Sequence, residues 1–339
     1  MAYYFKLPLI TEMTSVQQST LDEPNPVAIN GGPGTGKSIV ALWRHIRTSS
    51  LGSKTSLLLT YTKTLEYCLS SWASKENTTA GINVHRTKSW TEGYMTSFDE
   101  IIIDEAQDLT SDHYSTLKEY SDSISYGADD QQILYPSQAT TEAQLRELFP
   151  DNEPFELDQN FRNSYEILRF VSATLPNYLI SQKILSELQA NKTTGTLPQC
   201  IVTGGHDKKE KSAILNVINL FKSDRHNIGI LYPLTKDVDK MHTFLEQQGV
   251  VCSSYHYKRN TFETIENVHV TTFKSSKGIE FDTVIIPNFS NYKHNIATLD
   301  ICEENDYYVA LTRAKRNLYL LCAEVPTGIN ASTFQTTIL

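Results

Sequence analysis

The stretch Gly31-Gly32-Pro33-Gly34-Thr35-Gly36-Lys37-Ser38 has the residue types and spacing of a phosphate-binding loop, G-x-x-x-x-G-K-[ST]. Glycine permits backbone angles closed to other residues, so successive N–H groups can turn toward one point. Those donors, with the start of a following helix, would hold phosphate oxygens. Lys37 would reach the β and γ phosphates of a nucleoside triphosphate, and Ser38 would hold Mg2+. A second element, Ile101-Ile102-Ile103-Asp104-Glu105-Ala106-Gln107-Asp108, ends an apolar run in carboxylates. A carboxylate at the end of a buried strand is costly without a partner, and a magnesium ion beside the loop supplies one for Asp104. Glu105 could then take a proton from the attacking water.

These groups need rigid elements to aim them. Short apolar runs rich in Ile, Leu and Val alternate with helical-length segments. The runs Val27 to Asn30, Ser56 to Tyr61, Glu100 to Asp104, Ser123 to Ala128, Ile201 to Thr203, Ile228 to Leu231, His269 to Thr272, Thr283 to Pro287 and Leu318 to Cys322 suit strands buried on both faces of a parallel sheet. Helical patterns follow several of them: Ser38 to Ile46, Asp112 to Tyr120, Lys208 to Phe221 and Asp237 to Gln248. The alternation predicts an α/β protein with mostly parallel sheets. A polar, Pro-flanked stretch at Pro150 to Pro154 predicts a division into domains 1–153 and 154–325, with 326–339 a polar tail.

Composition fits that plan. The chain has 339 residues, 40% hydrophobic and 10% aromatic, enough for two cores. No apolar run reaches the roughly 18 residues of a membrane span, and the opening residues lack a signal-peptide pattern. Five scattered Cys with no CxxC spacing point to neither zinc nor a disulfide framework, and the expectation is a cytoplasmic protein. A net charge of −9 argues against a general nucleic-acid binder. It leaves room for a local basic groove, as at His85-Arg86-Thr87-Lys88 or Lys274 to Lys277.

Further elements, in order along nearly the whole chain, make the sequence resemble superfamily 1 helicases of the UvrD/Rep type, in a compact form. Met13-Thr14-Ser15-Val16-Gln17 resembles the family's Q motif, which implies that Gln17 reads the adenine edge. Leu58 to Lys63 resembles motif Ia and Val84 to Trp90 motif Ib, implying that Thr60, Tyr61, Lys63 and His85 face a single strand. Gly127-Ala128-Asp129-Asp130-Gln131 resembles motif III, with Gln131 as γ-phosphate sensor and Tyr135 following it toward the strand. Leu157-Asp158-Gln159-Asn160-Phe161-Arg162 resembles L-x-x-N-Y-R, making Arg162 an arginine finger and Phe161 a platform for adenine. Val270 to Phe281 resembles motif V, with Thr272 near the strand and Gly278 and Glu280 near the ribose. Tyr308-Val309-Ala310-Leu311-Thr312-Arg313-Ala314 resembles motif VI, with Arg313 a second finger.

The resemblance implies two RecA-like P-loop domains with the ATP site in the cleft between them, ATP and Mg2+ as ligands, and single-stranded nucleic acid, DNA by analogy, as partner. It implies 3′ to 5′ translocation or unwinding. Departures qualify this. Ala128 stands where relatives have Asp, Lys274 replaces a common His, and the aromatic stretch after motif III is reduced to Tyr135-Pro136. Stacking is worth about 1–3 kcal/mol per base, so a thinner stretch weakens the grip. The gaps from Lys37 to Asp104 and from Arg162 to Thr272 have no room for the family's large inserted domains. A second reading is therefore a nucleotide-switched ATPase subunit that gates a partner protein such as a nuclease without robust unwinding. Neither reading calls for a membrane.

Overall fold

The computed structural model describes residues 2–93, 95–178, 180–191, 195–258, 264–298 and 302–339. The chain divides into two compact units. One is Lys6–Phe161; the other joins Met1–Phe5 to Arg162–Leu339.

The first unit is built on six strands: β1 (Val27–Asn30), β2 (Ser56–Thr60), β3 (Val84–Arg86), β4 (Glu100–Ile103), β5 (Ile124–Ala128) and β6 (Glu153–Glu156). Their order in the sheet is β3-β2-β4-β5-β1-β6, with every pair parallel. Parallel neighbours need crossover connections, which cover both faces with helices and explain why β1, β2, β4 and β5 read as continuous apolar runs. Leu57, Leu59, Ile101, Ile103, Ile124 and Tyr126 alternate along their strands onto one face and pack with Tyr114 and Leu117. Helix α1 (Ser15–Asp22) precedes β1, and α2 (Lys37–Ser50) follows it.

The second unit carries β7 (Gln199–Val202), β8 (Ile228–Tyr232), β9 (Ser253–Tyr255), β10 (Val268–Thr272), β11 (Phe281–Ile286), β12 (Ala314–Cys322) and β13 (Gln335–Ile338). The order is β13-β7-β12-β11-β8-β10-β9, again parallel throughout. Its core packs Ile228, Ile230, Val268, Val270 and Ile285 against Ile214, Val217 and Ile218 of the helix Asp207–Phe221 and Val238, Met241 and Leu245 of the helix Thr235–Gln247.

Two boundaries differ from the sequence reading. Residues 154–161 belong to the first unit, because β6 pairs with β1. The stretch 326–339 is not a tail, since β13 adds an edge strand to β7. Residues 2–5 belong to the second unit. Ala2 bridges Glu266 antiparallel, Tyr3 N–H donates to the Ile265 carbonyl at 2.8 Å, and the Asn227 side chain bonds both the N–H and the carbonyl of Tyr4 at 2.9 and 2.6 Å. Among the described residues no helix is long and apolar enough to cross a membrane.

Candidate nucleotide and nucleic-acid site

In a parallel sheet all strands end on one edge, and ligands gather there. The loop 31–36 leaves the end of β1, Asp104 the end of β4, Asp129 the end of β5, and Tyr61 the end of β2. The first unit thus brings its predicted residues to a single edge.

The loop is shaped by glycine where nothing else fits. Gly34 and Gly36 have φ of 75° and 91°, and α2 starts from Gly36 in the left-handed region. A Cβ on Gly31 would lie 2.5 Å from the Leu157 carbonyl oxygen, and one on Gly36 would lie 2.6 Å from Gln17 Nε2. The segment after β6 closes over the loop: Asn160 Nδ2 donates to the Pro33 carbonyl at 2.6 Å and Phe161 N–H to the Gly34 carbonyl at 2.8 Å. Phe161 itself is 58% exposed, as a stacking platform must be. Gln17 is buried, with Nε2 donating to the Thr35 carbonyl at 2.9 Å and Oε1 accepting the Thr14 N–H at 2.9 Å in a capping box. Its amide holds the loop; one further N–H and one lone pair remain for a base edge.

Lys37 is buried. Its Nζ donates to the Gly31 carbonyl and to the Gly32 carbonyl at 3.2 Å, and lies 3.7 Å from Asp129 Oδ2. Asp129 makes three more hydrogen bonds: its carboxylate accepts the Gln131 N–H at 3.0 Å and Gln132 Nε2 at 2.6 Å, and its own N–H donates to Gln107 Oε1 at 3.2 Å. Gln107 Nε2 in turn donates to Glu105 Oε2 at 2.7 Å. A single buried line therefore runs Glu105–Gln107–Asp129–Lys37. Gln131 enters it through its backbone. Sequence reading passed over Asp129 and Asn160; the signal for Asp129 was an acid one position beyond the end of a buried strand.

Asp104 is 1% exposed, and its N–H extends the ladder by donating to the Leu59 carbonyl at 2.8 Å. Glu105 follows at φ 60°, ψ 44°. A left-handed non-glycine costs about 1–3 kcal/mol and persists where surrounding structure enforces it. The turn aims the Glu105 carboxylate back along the edge. Gly127 keeps room there, since a Cβ on it would stand 3.7 Å from both Asp104 Oδ1 and Lys37 Cβ. Carboxylate and hydroxyl oxygens, from Asp104 and Ser38, are the hard donors that suit Mg2+. By the chemistry of its donors that set fits the ion.

The predicted strand-facing residues divide. Tyr61 and Tyr135 lie with ring centroids 6.3 Å apart, Tyr135 37% exposed. Burial, then the charge of Asp108, pushes the Tyr61 hydroxyl well above the usual tyrosine range, so it stays a neutral donor. Lys63 opens the helix Lys63–Glu76 and His85 sits half-buried on β3. Thr60 and Thr272, by contrast, are buried, and the Thr272 hydroxyl bonds Ser275 Oγ at 3.0 Å.

In the second unit, Arg162 Nε donates to Glu280 Oε2 at 2.9 Å and Lys315 Nζ lies 3.0 Å from Glu280 Oε1. Burial pushes the Glu280 carboxyl up, but the two cations outweigh it and hold it at about 2. Gly278, at φ 84°, makes the turn that brings Glu280 to the start of β11. Arg313 is 1% exposed: Nε donates to the Val309 carbonyl at 3.0 Å and Nη1 to the Ile279 carbonyl at 3.4 Å. Lys274, the residue in place of the common His, pairs with buried Asp306 at 2.9 Å.

The chain is similar to known proteins. Residues 25–193 match the family described as the Schlafen group 3, DNA/RNA helicase domain, and residues 253–325 match the UvrD-like helicase C-terminal domain. The putative ATP-dependent DNA helicase R568 of Acanthamoeba polyphaga mimivirus is 26% identical over 243 residues, 65% of this chain and 34% of that protein. The RecBCD enzyme subunit RecB of Chlamydia pneumoniae is 38% identical over 71 residues, 21% of this chain and 7% of RecB. The chain spans about a third or less of these two relatives. In fold it is similar to S. cerevisiae Dbp5 bound to RNA and ADP BeF3, with a TM-score of 0.59 over 96% of this chain and 90% of that one, at 11% identity.

Proposed function

We propose, from the matches to a UvrD-like helicase C-terminal domain and a Schlafen group 3 helicase domain, that the chain is a UvrD-like superfamily 1 helicase that hydrolyses ATP to move on single-stranded nucleic acid, DNA in the first instance, in the 3′ to 5′ sense. The observation that carries this reading is the buried line from Glu105 through Gln107 and Asp129 to Lys37 beside the glycine loop. Lys37 would leave the loop carbonyls for the β and γ phosphates when these arrive. Glu105 would hold the attacking water and take its proton. Mg2+, held by Ser38 and Asp104, would neutralise charge on the phosphates. Phe161 and Gln17 would take the adenine, Glu280 the ribose, and Arg162 and Arg313 the charge that develops on the leaving phosphoryl group. Asp129 would pass the state of Lys37 to Gln131, next to Tyr135.

Single-stranded nucleic acid would lie over Tyr61, Tyr135, Lys63 and His85. With so few cations, binding should be modest and fall steeply with salt. The test is ATPase rate against oligonucleotide concentration at two salt levels, beside a strand-displacement assay. We expect stimulation by single strands and feeble displacement by the chain alone. No stimulation by DNA or RNA would reject the motor reading.

That outcome would favour the second reading, a nucleotide-switched subunit that gates a partner such as a nuclease. The likeness to RecB, by its name a subunit of a larger enzyme, supports keeping it.

A further inference from the structure

The chain passes between the two units twice, at Phe5–Lys6 and at Phe161–Arg162. Both passages end on the same residue. Arg162, the first residue after one passage, binds the Glu280 carboxylate at 2.9 Å. Tyr3, just before the other, binds the Glu280 backbone. Its hydroxyl donates to the Glu280 carbonyl at 2.5 Å and accepts the Glu280 N–H at 3.2 Å. The ring stands edge-on to Phe281 at 6.2 Å. Glu280 lies between the Gly278 turn and the first residue of β11, where the Phe281 N–H donates to the Arg313 carbonyl at 2.9 Å; the Glu280 N–H and carbonyl are both taken by the Tyr3 hydroxyl.

We propose that Tyr3 is a positioning residue for the nucleotide site: its hydroxyl fixes the backbone of Glu280, so that both covalent passages are pinned at a residue assigned to the ribose. The inference rests on the assignment of Glu280 to the ribose. It goes beyond it by giving residues 2–5 a part in nucleotide selection. A ribose hydroxyl and Arg162 compete for the same carboxylate. When the ribose takes it, the Arg162 ion pair is broken, while the Tyr3 contact, made to the backbone, persists. Tyr3 thus keeps the carboxylate in place during the exchange.

The experiment compares kcat/KM for ATP and for 2′,3′-dideoxy-ATP in four proteins: wild type, Glu280→Ala, Tyr3→Phe and Asn227→Ala. Tyr3→Phe keeps the ring against Phe281 and removes both hydrogen bonds. Asn227→Ala loosens the strap at Tyr4 without touching Glu280. We expect wild type to prefer ATP and Glu280→Ala to lose the preference. Tyr3→Phe should cut it by about three- to tenfold, the scale of one or two neutral hydrogen bonds. It should act on dideoxy-ATP within about twofold of wild type, since the phosphate machinery is untouched. Asn227→Ala should retain the full preference. A wild-type preference in Tyr3→Phe, alongside its loss in Glu280→Ala, overturns the role of Tyr3 alone. An equal drop in Asn227→Ala and Tyr3→Phe also overturns it, because strap attachment would then suffice. A preference unchanged in Glu280→Ala removes the ribose assignment and the proposal with it.

Discussion

The two units hold their functional side chains in opposite ways. In the first, the loop, Asp104 and Glu105 are set by backbone: glycines in left-handed turns, a ladder hydrogen bond at Asp104, and a left-handed Glu105. In the second, the two arginines are engaged elsewhere, Arg162 in an ion pair with Glu280 and Arg313 on the carbonyls of Val309 and Ile279. A site set by backbone is ready before its ligand arrives, whereas one held by side-chain pairs must exchange partners. The first unit is accordingly suited to bind nucleotide and the second to respond to it.

The most damaging way to break the comparison is at Lys37. Lys37→Ala should abolish phosphate release, because the loop loses its side-chain cation on the β and γ phosphates. Turnover at the wild-type rate would end the assignment. Next come the arginines. Arg162→Ala and Arg313→Ala should each lower kcat by about 10³–10⁵ with little change in nucleotide affinity. They should differ in stability. Arg313 is buried and its loss strands two carbonyls, so that variant should melt roughly 5 °C or more below Arg162→Ala, whose site is partly wet. Equal melting points would show that Arg313 is not held as described. Glu105→Gln keeps size and removes the base; turnover should fall about 10²–10⁴-fold with ATP still bound in equilibrium dialysis. The smallest effect is on acid stability. Glu280 is held at about 2 against 4.5 for the free group, so its stabilisation is fully present above about pH 4.5 and is lost as pH falls toward 2. Glu280→Gln should flatten that arm of a urea-unfolding series by on the order of 2 kcal/mol. An unchanged acid arm would mean the cations do not hold Glu280 in solution.

Every strand read from the sequence lies in the interior of a sheet. The strands that were not read, β3, β6, β9 and β13, are the four edges. Edge strands have one neighbour and face water. Gln335–Ile338 is exposed throughout and Glu153–Glu156 nearly so, and an exposed strand need not carry the apolar run that announces an interior one. The site divides similarly. Residues in local motifs were legible because glycine geometry and phosphate chemistry constrain neighbours in sequence. Asn160 and Tyr3 were not, because their partners lie far along the chain: 127 positions for Asn160 and Pro33, 277 for Tyr3 and Glu280.

The strap also sets an order of assembly. The first unit is one continuous stretch, Lys6–Phe161, and can close its sheet while the ribosome is still making the rest. Tyr3 is synthesised before any of it and must wait for Glu280, 277 residues later, which at typical elongation rates is roughly half a minute. For that interval the aromatic pair Tyr3-Tyr4 and Phe5 are without their eventual surface, while the first unit is made and closes its sheet.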